Sequence, residues 1–337
     1  MLGAFCVLES RAAHPMFTMS LFRIRAFWAG NLASLLAGLG RGGLMFILII
    51  WLQGIYLPQH GYSFSQTPLW AGIAMLPFTI GFLAAGPVSG ALSDRSGARA
   101  FTTGGMIITA ASFLLLDLLP VNFSYWQFAL ILLLAGTGQG LFSAPNRAAI
   151  MNSLPPERRG AGSGMTATFQ NSATVLSIGI FFTLIILGLA ATLPSALSHG
   201  LTGQGVPPAS AAKIAALPPV SVLFAALLGY NPVSTLLGPA LAHLPAARAA
   251  HLTGRSFFPS VISPAFGHGL AAAFDFAACL TAAAVSVLRG RTYAYGAPPA
   301  HATPTTEKAA SSRPQRSHLR RPRPLLRGRG AATSRHG

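Results

Sequence analysis

Two apolar stretches, from about residue 69 to 92 and from about 101 to 119, flank a single short polar loop. The loop reads Gly90-Ala91-Leu92-Ser93-Asp94-Arg95-Ser96-Gly97-Ala98-Arg99. Each flank is long enough, or nearly so, to cross the roughly 30 Å hydrocarbon core of a bilayer as a helix. Four more stretches have the same character, at about residues 26–53, 127–150, 163–191 and 266–288. The expected fold is therefore an all-α integral membrane protein, a bundle of six transmembrane helices followed by a disordered basic tail.

Composition agrees. Only 9% of the 337 residues are charged, against about 25% in soluble domains. The acids are Glu9, Asp94, Asp117, Glu157, Asp275 and Glu307. From Arg289 onward there are eleven Lys/Arg and one acid, so the net charge of +17 is largely a property of the C-terminal segment. That segment is rich in Pro, Ser, Thr and Arg, and should be disordered. Its run Arg320-Arg321-Pro322-Arg323 suits anionic lipid headgroups. No nucleic-acid-binding motif or stacking aromatic accompanies it, so no specific nucleic-acid partner is expected.

Loop charges set an orientation. Residues 54–68 and 120–126 contain no Lys or Arg, whereas Arg95 and Arg99, Arg147, Arg158 and Arg159, the N-terminal Arg11, Arg23 and Arg25, and the tail all fall on one side of six spans. That is the positive-inside pattern, with both termini cytoplasmic. Residues 192–265 then form a long extracytoplasmic loop. Its apolar piece at 220–230 is hemmed in by Pro218-Pro219 and Pro232, too short to span. It is read as a short helix on the bundle or at the membrane surface, with a re-entrant segment as the alternative. The expected organisation is a linker at 1–25, helices one to five over 26–191, the loop over 192–265, the sixth helix at 266–288 and the tail at 289–337.

Several chemistries are excluded. Cys6 and Cys279 form no disulfide framework, and the nine histidines include no H-x-x-x-H pair, so no metal site is expected. Gly136-Thr137-Gly138-Gln139-Gly140 has no preceding strand and no following Gly-Lys-Ser/Thr, which argues against a phosphate loop. Small residues at this spacing serve close helix packing instead. Asp117 and Asp275 are the intramembrane acid pair, but their flanks, Leu-Leu-Asp-Leu and Ala-Phe-Asp-Phe, lack the Gly-x-Gly-Asp pattern of intramembrane aspartyl proteases. An enzyme is not expected.

The Gly90–Arg99 loop resembles the signature element of the major facilitator superfamily, with Ala98 where a basic residue is common. Pro155-Pro156-Glu157-Arg158-Arg159-Gly160-Ala161-Gly162 is similar to the family's second basic connection. The start of the chain, Glu9–Phe17 followed by Leu21-Phe22-Arg23-Ile24-Arg25-Ala26-Phe27, resembles a connection midway through the fourteen-helix drug:proton antiporter (multidrug exporter) branch. The resemblance implies that the chain matches the C-terminal six helices, with about eight more helices preceding them in a whole transporter. It implies alternating-access transport, without a cofactor and with the proton gradient as energy source, in a bacterial plasma membrane. It implies a small-molecule substrate, the lipid bilayer, and a separate N-terminal half or a second copy as partners. An inactive truncated transporter fragment is the alternative.

In the resembled family, Gly90, Asp94, Arg95, Gly97 and Arg99 belong to a conformational latch, Gly90 allowing close helix approach and Asp94 capping a helix or pairing with an arginine. Glu157, Arg158 and Arg159 would brace the same gate. Either group could instead serve only to set topology. Ala85-Gly86-Pro87-Val88-Ser89-Gly90 is read as a packing kink. Polar groups inside spans are the pathway candidates, because burying them in lipid is costly. These are Asn31, Arg41, Gln53, Asp117, Gln139, Gln170, Asn171 and Asp275. Arg41 is the most expensive and needs a cavity or an acid partner. Asp275 is the proposed proton-linked carboxylate, or else the ion-pair partner of Arg41.

Overall fold

Lipid offers no hydrogen-bond partner to a backbone N–H or C=O, so a chain this apolar must satisfy its backbone inside each crossing segment. The computed structural model describes residues 19–120, 123–238, 241, 244–254 and 256–289. It does so with helices, and no strand occurs among the described residues. The elements are α1 (Arg25–Trp51), α2 (Thr67–Ala74), α3 (Leu76–Ser96), α4 (Ala98–Asp117), α5 (Tyr125–Asn152) and α6 (Arg159–Thr202). Four short helices follow, α7 (Pro208–Ala215), α8 (Pro219–Leu227), α9 (Pro232–Leu237) and α10 (Ala246–Thr253), and then α11 (Phe257–Arg289). Six segments among the described residues are long and apolar enough to cross a membrane: Arg25–Gln59, Thr67–Ser96, Ala98–Asp117, Tyr125–Asn152, Pro156–Thr202 and Phe257–Leu288. The residues before Met19 and the basic tail after Arg289 lie outside the described residues.

Helix ends differ from the sequence reading in four places. The first span does not stop at residue 53. It passes through a π-helical turn, Leu52–Tyr56, into Leu57–Gln59, because Ile55, Tyr56 and Leu57 remain buried. The second span is interrupted at Met75, where Pro77, in the first turn of α3, has no N–H to donate back to the preceding helix. The fifth helix continues to Thr202 rather than ending near residue 191. Phe181, Ile185, Leu189, Leu193, Leu197 and Leu201 form one fully buried stripe at intervals of four, which holds the extra turns against their neighbours. The sixth span begins at Phe257, nine residues before the expected start.

The segment expected to be a long loop with one short helix at 220–230 has that helix, as α8, and is largely helical and packed elsewhere as well. Ala211, Ile214, Val222, Leu223, Val233, Leu237 and Leu252 belong to the same buried cluster as the stripe of α6. Helices α7 and α8 form a pair bent by 86°. Asn231 caps α9 by accepting from the Val233 N–H at 3.0 Å, and its Nδ2 donates to Leu252 O at 2.9 Å and Gly254 O at 3.2 Å. That one side chain fastens the start of α9 to the end of α10.

Helix α5 lies between α3 and α4, and its glycine run explains how. A β-carbon on Gly136 would lie 2.0 Å from Phe78 O of α3, and one on Gly140 would lie 2.7 Å from Phe82 O. One on Gly138, half a turn away, would meet Gly105 O of α4 at 2.7 Å. Positions four apart share a face and the middle one points away, so one short run admits two neighbouring backbones. The contact makes α3 and α5 parallel, and so places their ends, Ser96 and Asn152, at the same end of the bundle. The starts of α1 and α6 join them there through Leu21, Phe27, Ile150, Leu154 and Met165. Gly90, by contrast, has only Ala144 Cβ at 3.9 Å from its would-be β-carbon. That is ordinary contact, so Gly90 is not what brings these helices together.

Candidate functional site

Three helices carry polar residues at helical spacing, and the fold turns the three stripes toward one point. They are Ser34 and Arg41 on α1, Gln139, Ser143, Asn146 and Arg147 on α5, and Thr166, Gln170 and Thr174 on α6. Phe78 and Phe82, one turn apart on α3, and Phe142 of α5 supply aromatic walls. Together they enclose a cavity of about 190 Å³. Gln170 and Arg147 are exposed, which leaves the cavity open at its rim.

Its polar groups are unequally satisfied. Asn146 Nδ2 donates to Ser34 Oγ at 2.8 Å and to Gly30 O at 3.2 Å. Thr166 and Thr174 turn their hydroxyls back to the carbonyls of Gly162 (2.9 Å) and Gln170 (3.0 Å). Arg41 Nε and Gln139 Oε1 are buried with no hydrogen-bond partner, and no carboxylate lines the cavity. Burying such groups costs free energy unless something pairs with them.

The cavity thus gathers three of the eight pathway candidates, Arg41, Gln139 and Gln170. Asn31 is buried nearby on α1, donating from Nδ2 to Phe27 O at 2.8 Å, with its Oδ1 unpartnered. Gln53 sits in the π-helical turn, and Asn171 is exposed on α6 beside the cavity-lining Gln170. Asp117 lines a second cavity, of about 300 Å³, with Trp51, Phe128 and His268. Asp275, two turns beyond His268 on α11, is exposed and within electrostatic range of Asp117. No ion pair joins Arg41 to Asp275: Arg41 lines the first cavity, whereas Asp275 is exposed on α11.

Sequence reasoning missed Ser34, Asn146, Arg147 and His268 as site residues. By its charge Arg147 reads as part of the loop after the fourth span, but α5 runs on to Asn152 and keeps it on the cavity face. The signal was available: Gln139, Ser143, Asn146 and Arg147 already stand at one-face spacing in the sequence.

At the basic end, Gly97 has φ 82° and ψ 144°, joining α3 to α4 in a conformation that strains any residue with a β-carbon. Asp94 and Arg95 are exposed in the last turn of α3, and Arg99 stands in the first turn of α4. Asp94 does not cap α4, whose N-terminus has no side-chain cap. Glu157 and Arg158 lie in a 3₁₀ turn leading into Arg159 and α6. Arg158 donates to Ser20 Oγ at 3.1 Å, and Arg159 Nε to Leu154 O at 3.4 Å. Pro87 lies inside α3, where Ser89 donates to Gly86 O at 2.9 Å and to Gly140 O of α5 at 3.2 Å.

A multi-pass helical membrane protein with a polar cavity inside an otherwise apolar bundle is the class this architecture defines. The sequence profile of the Major Facilitator Superfamily matches residues 8–178, and the chain belongs to that superfamily. It is 27% identical over 257 residues to the multidrug transporter protein MdtP of Bacillus subtilis, covering 74% of this chain and 44% of that protein. It is 29% identical over 210 residues to the methyl viologen resistance protein SmvA of Salmonella typhimurium, covering 62% and 40%. It is 30% identical over 168 residues to the methylenomycin A resistance protein of Streptomyces coelicolor, covering 50% and 34%. The chain spans about two fifths of the length of the curated relatives it matches.

Proposed function

We propose that this chain acts as one six-helix bundle of an alternating-access transporter, which exports drugs or small metabolites in exchange for protons. The observation that supports it is the convergence of three polar stripes on a cavity holding unpartnered Arg41 and Gln139. A solute site shared between two rocking bundles near the bilayer midplane needs such a set of groups on one of them. The Arg95/Arg99 and Arg158/Arg159 end would face the cytoplasm of a bacterial cell, following the positive-inside pattern. Asp94 and its neighbours would then latch that end, and the rest of the transporter would come from a separate N-terminal half or a second copy. Asp275, with Asp117 and His268, is the proposed proton-linked group.

The test is flux in proteoliposomes under an imposed proton gradient, using cationic, neutral and anionic fluorescent solutes. The chain is measured alone and co-expressed with the N-terminal portion of MdtP. Gradient-dependent movement of any of these solutes supports transport, and the arm in which it occurs identifies the partner. Folded protein that moves none of them in either arm refutes the proposal.

A further inference from the structure

We propose that the cavity between α1, α3, α5 and α6 binds a small organic anion with an aromatic body and a hydrogen-bond donor, and that Arg41 is its charge partner. The inference deepens the transport reading and rests on it for the ligand's purpose, but it can be tested without transport.

Charge is the first argument. Arg41 and Arg147 line the cavity, and arginine stays protonated in any protein setting. No carboxylate lines it. The acids among the described residues are all elsewhere. Asp94 ends α3, Glu157 precedes α6, Asp117 lines the second cavity and Asp275 is exposed on α11. A solute entering this cavity therefore meets fixed positive charge where water is scarce and Coulomb attraction is strong.

Unmet bonding is the second. Arg41 Nε is buried with no acceptor. A guanidinium in a membrane span is costly, and a planar carboxylate matches its fork with two parallel bonds. Gln139 is 8% exposed and its Oε1 has no donor, so a hydroxyl or N–H on the same solute would satisfy it. An anion without an O–H or N–H, such as chloride or nitrate, would leave that oxygen unpaired.

Shape is the third. Phe78 and Phe82 stand one turn apart on α3, with Phe142 close by, giving an aromatic wall to a cavity of about 190 Å³. Pockets for drug-sized ligands run to roughly 300–1,000 Å³, so the occupant has a single ring.

The experiment is calorimetric titration of the whole chain in lipid nanodiscs with three matched phenols. These are 4-hydroxybenzoate, the neutral 4-hydroxybenzamide and the cation tyramine. The expected order is 4-hydroxybenzoate tightest, the amide at least about tenfold weaker, and tyramine without measurable binding. Arg41→Gln should weaken 4-hydroxybenzoate about 10- to 100-fold, as expected for losing a charged hydrogen-bonding partner. Benzoate should bind more weakly than 4-hydroxybenzoate, and that difference should vanish in Gln139→Leu. If Arg41→Gln does not fold, Arg147→Gln, at an exposed position, and the ranking on the unaltered chain decide the matter. Tyramine binding as tightly as 4-hydroxybenzoate, or no binding of 4-hydroxybenzoate, overturns the proposal. Binding without flux would sink the transport reading and leave this one standing. Flux of cations without 4-hydroxybenzoate binding would do the reverse.

Discussion

Asn146 donates from Nδ2 to the Ser34 hydroxyl at 2.8 Å across a separation of 112 residues, pinning α5 to α1 at the wall of the polar cavity. The same nitrogen reaches Gly30 O at 3.2 Å. Interhelical hydrogen bonds in membranes average about 0.6 kcal/mol and reach about 1.7. Asn146→Leu should therefore lower stability by about 1 kcal/mol, read from unfolding in sodium dodecyl sulfate. An unchanged midpoint would show that the bond is not a structural tie.

Gly136 and Gly104 make a matched contrast. A β-carbon at Gly136 would lie 2.0 Å from Phe78 O, whereas none of the atoms around Gly104 comes within 4 Å of its would-be β-carbon. Gly136→Ala should push α3 from α5 and sharply reduce the yield of monodisperse protein. Gly104→Ala, inside α4, should be neutral or stabilising by up to about 1 kcal/mol through helix propensity. Thermal unfolding of both variants in detergent checks the pair.

Gly97 joins α3 and α4 with φ 82°. Gly97→Ala should cost about 1–3 kcal/mol, because φ 82° with ψ 144° lies close to a region that essentially only glycine adopts. If the turn is part of the proposed latch, gradient-driven flux should fall further than stability does. Asp94→Asn should reduce flux with no loss of stability at all, since Asp94 is exposed and caps no helix.

Leu197 is 1% exposed within the buried stripe of α6. Leu197→Ala should cost about 2–5 kcal/mol, from lost burial and the cavity left behind. A loss under half a kcal/mol would mean that this stretch is the solvated loop suggested by its position in the sequence.

Asp275 and Asp117 test the coupling proposal. Asp275→Asn should abolish flux driven by the proton gradient while solute exchange without a gradient persists. Loss of both together would point to a binding or folding role instead. Asp117→Asn, in the cavity shared with His268, should shift the pH dependence of flux if the three groups work as a unit.

The spans were legible because apolar length maps directly onto bilayer thickness. The long loop was misread for an allied reason. Residues 192–256 are too interrupted by Pro and Gly to look like a span, yet Leu193, Leu197, Leu201, Val222 and Val233 are buried as fully as any bundle residue. Leu193, Leu197 and Leu201 do continue a four-residue period from Phe181, but which of the following helices covers that stripe is not written in the period. Pro145, inside the span expected at 127–150, and Pro194, beyond the end expected at 191, both lie inside continuous helices, where packed neighbours offset the missing hydrogen bond.

The sequence by itself determined that six stretches are long and apolar enough to cross a membrane as helices, and that the Asp94–Arg99 turn carries a family signature. Both follow from local quantities, apolar length and the order of residues in one loop. Only the tertiary structure decided which polar residues share a cavity. Arg41 had two offered fates, a cavity or a bond to Asp275, and Arg147 had been counted with a loop. The outcome depends on which faces of α1, α5 and α6 meet, and that was set by close contacts such as Gly136 against Phe78 and Gly43 against Phe181. A helix's periodicity tells which residues share a face; the rotation of that face toward a neighbour is fixed only when backbones pack.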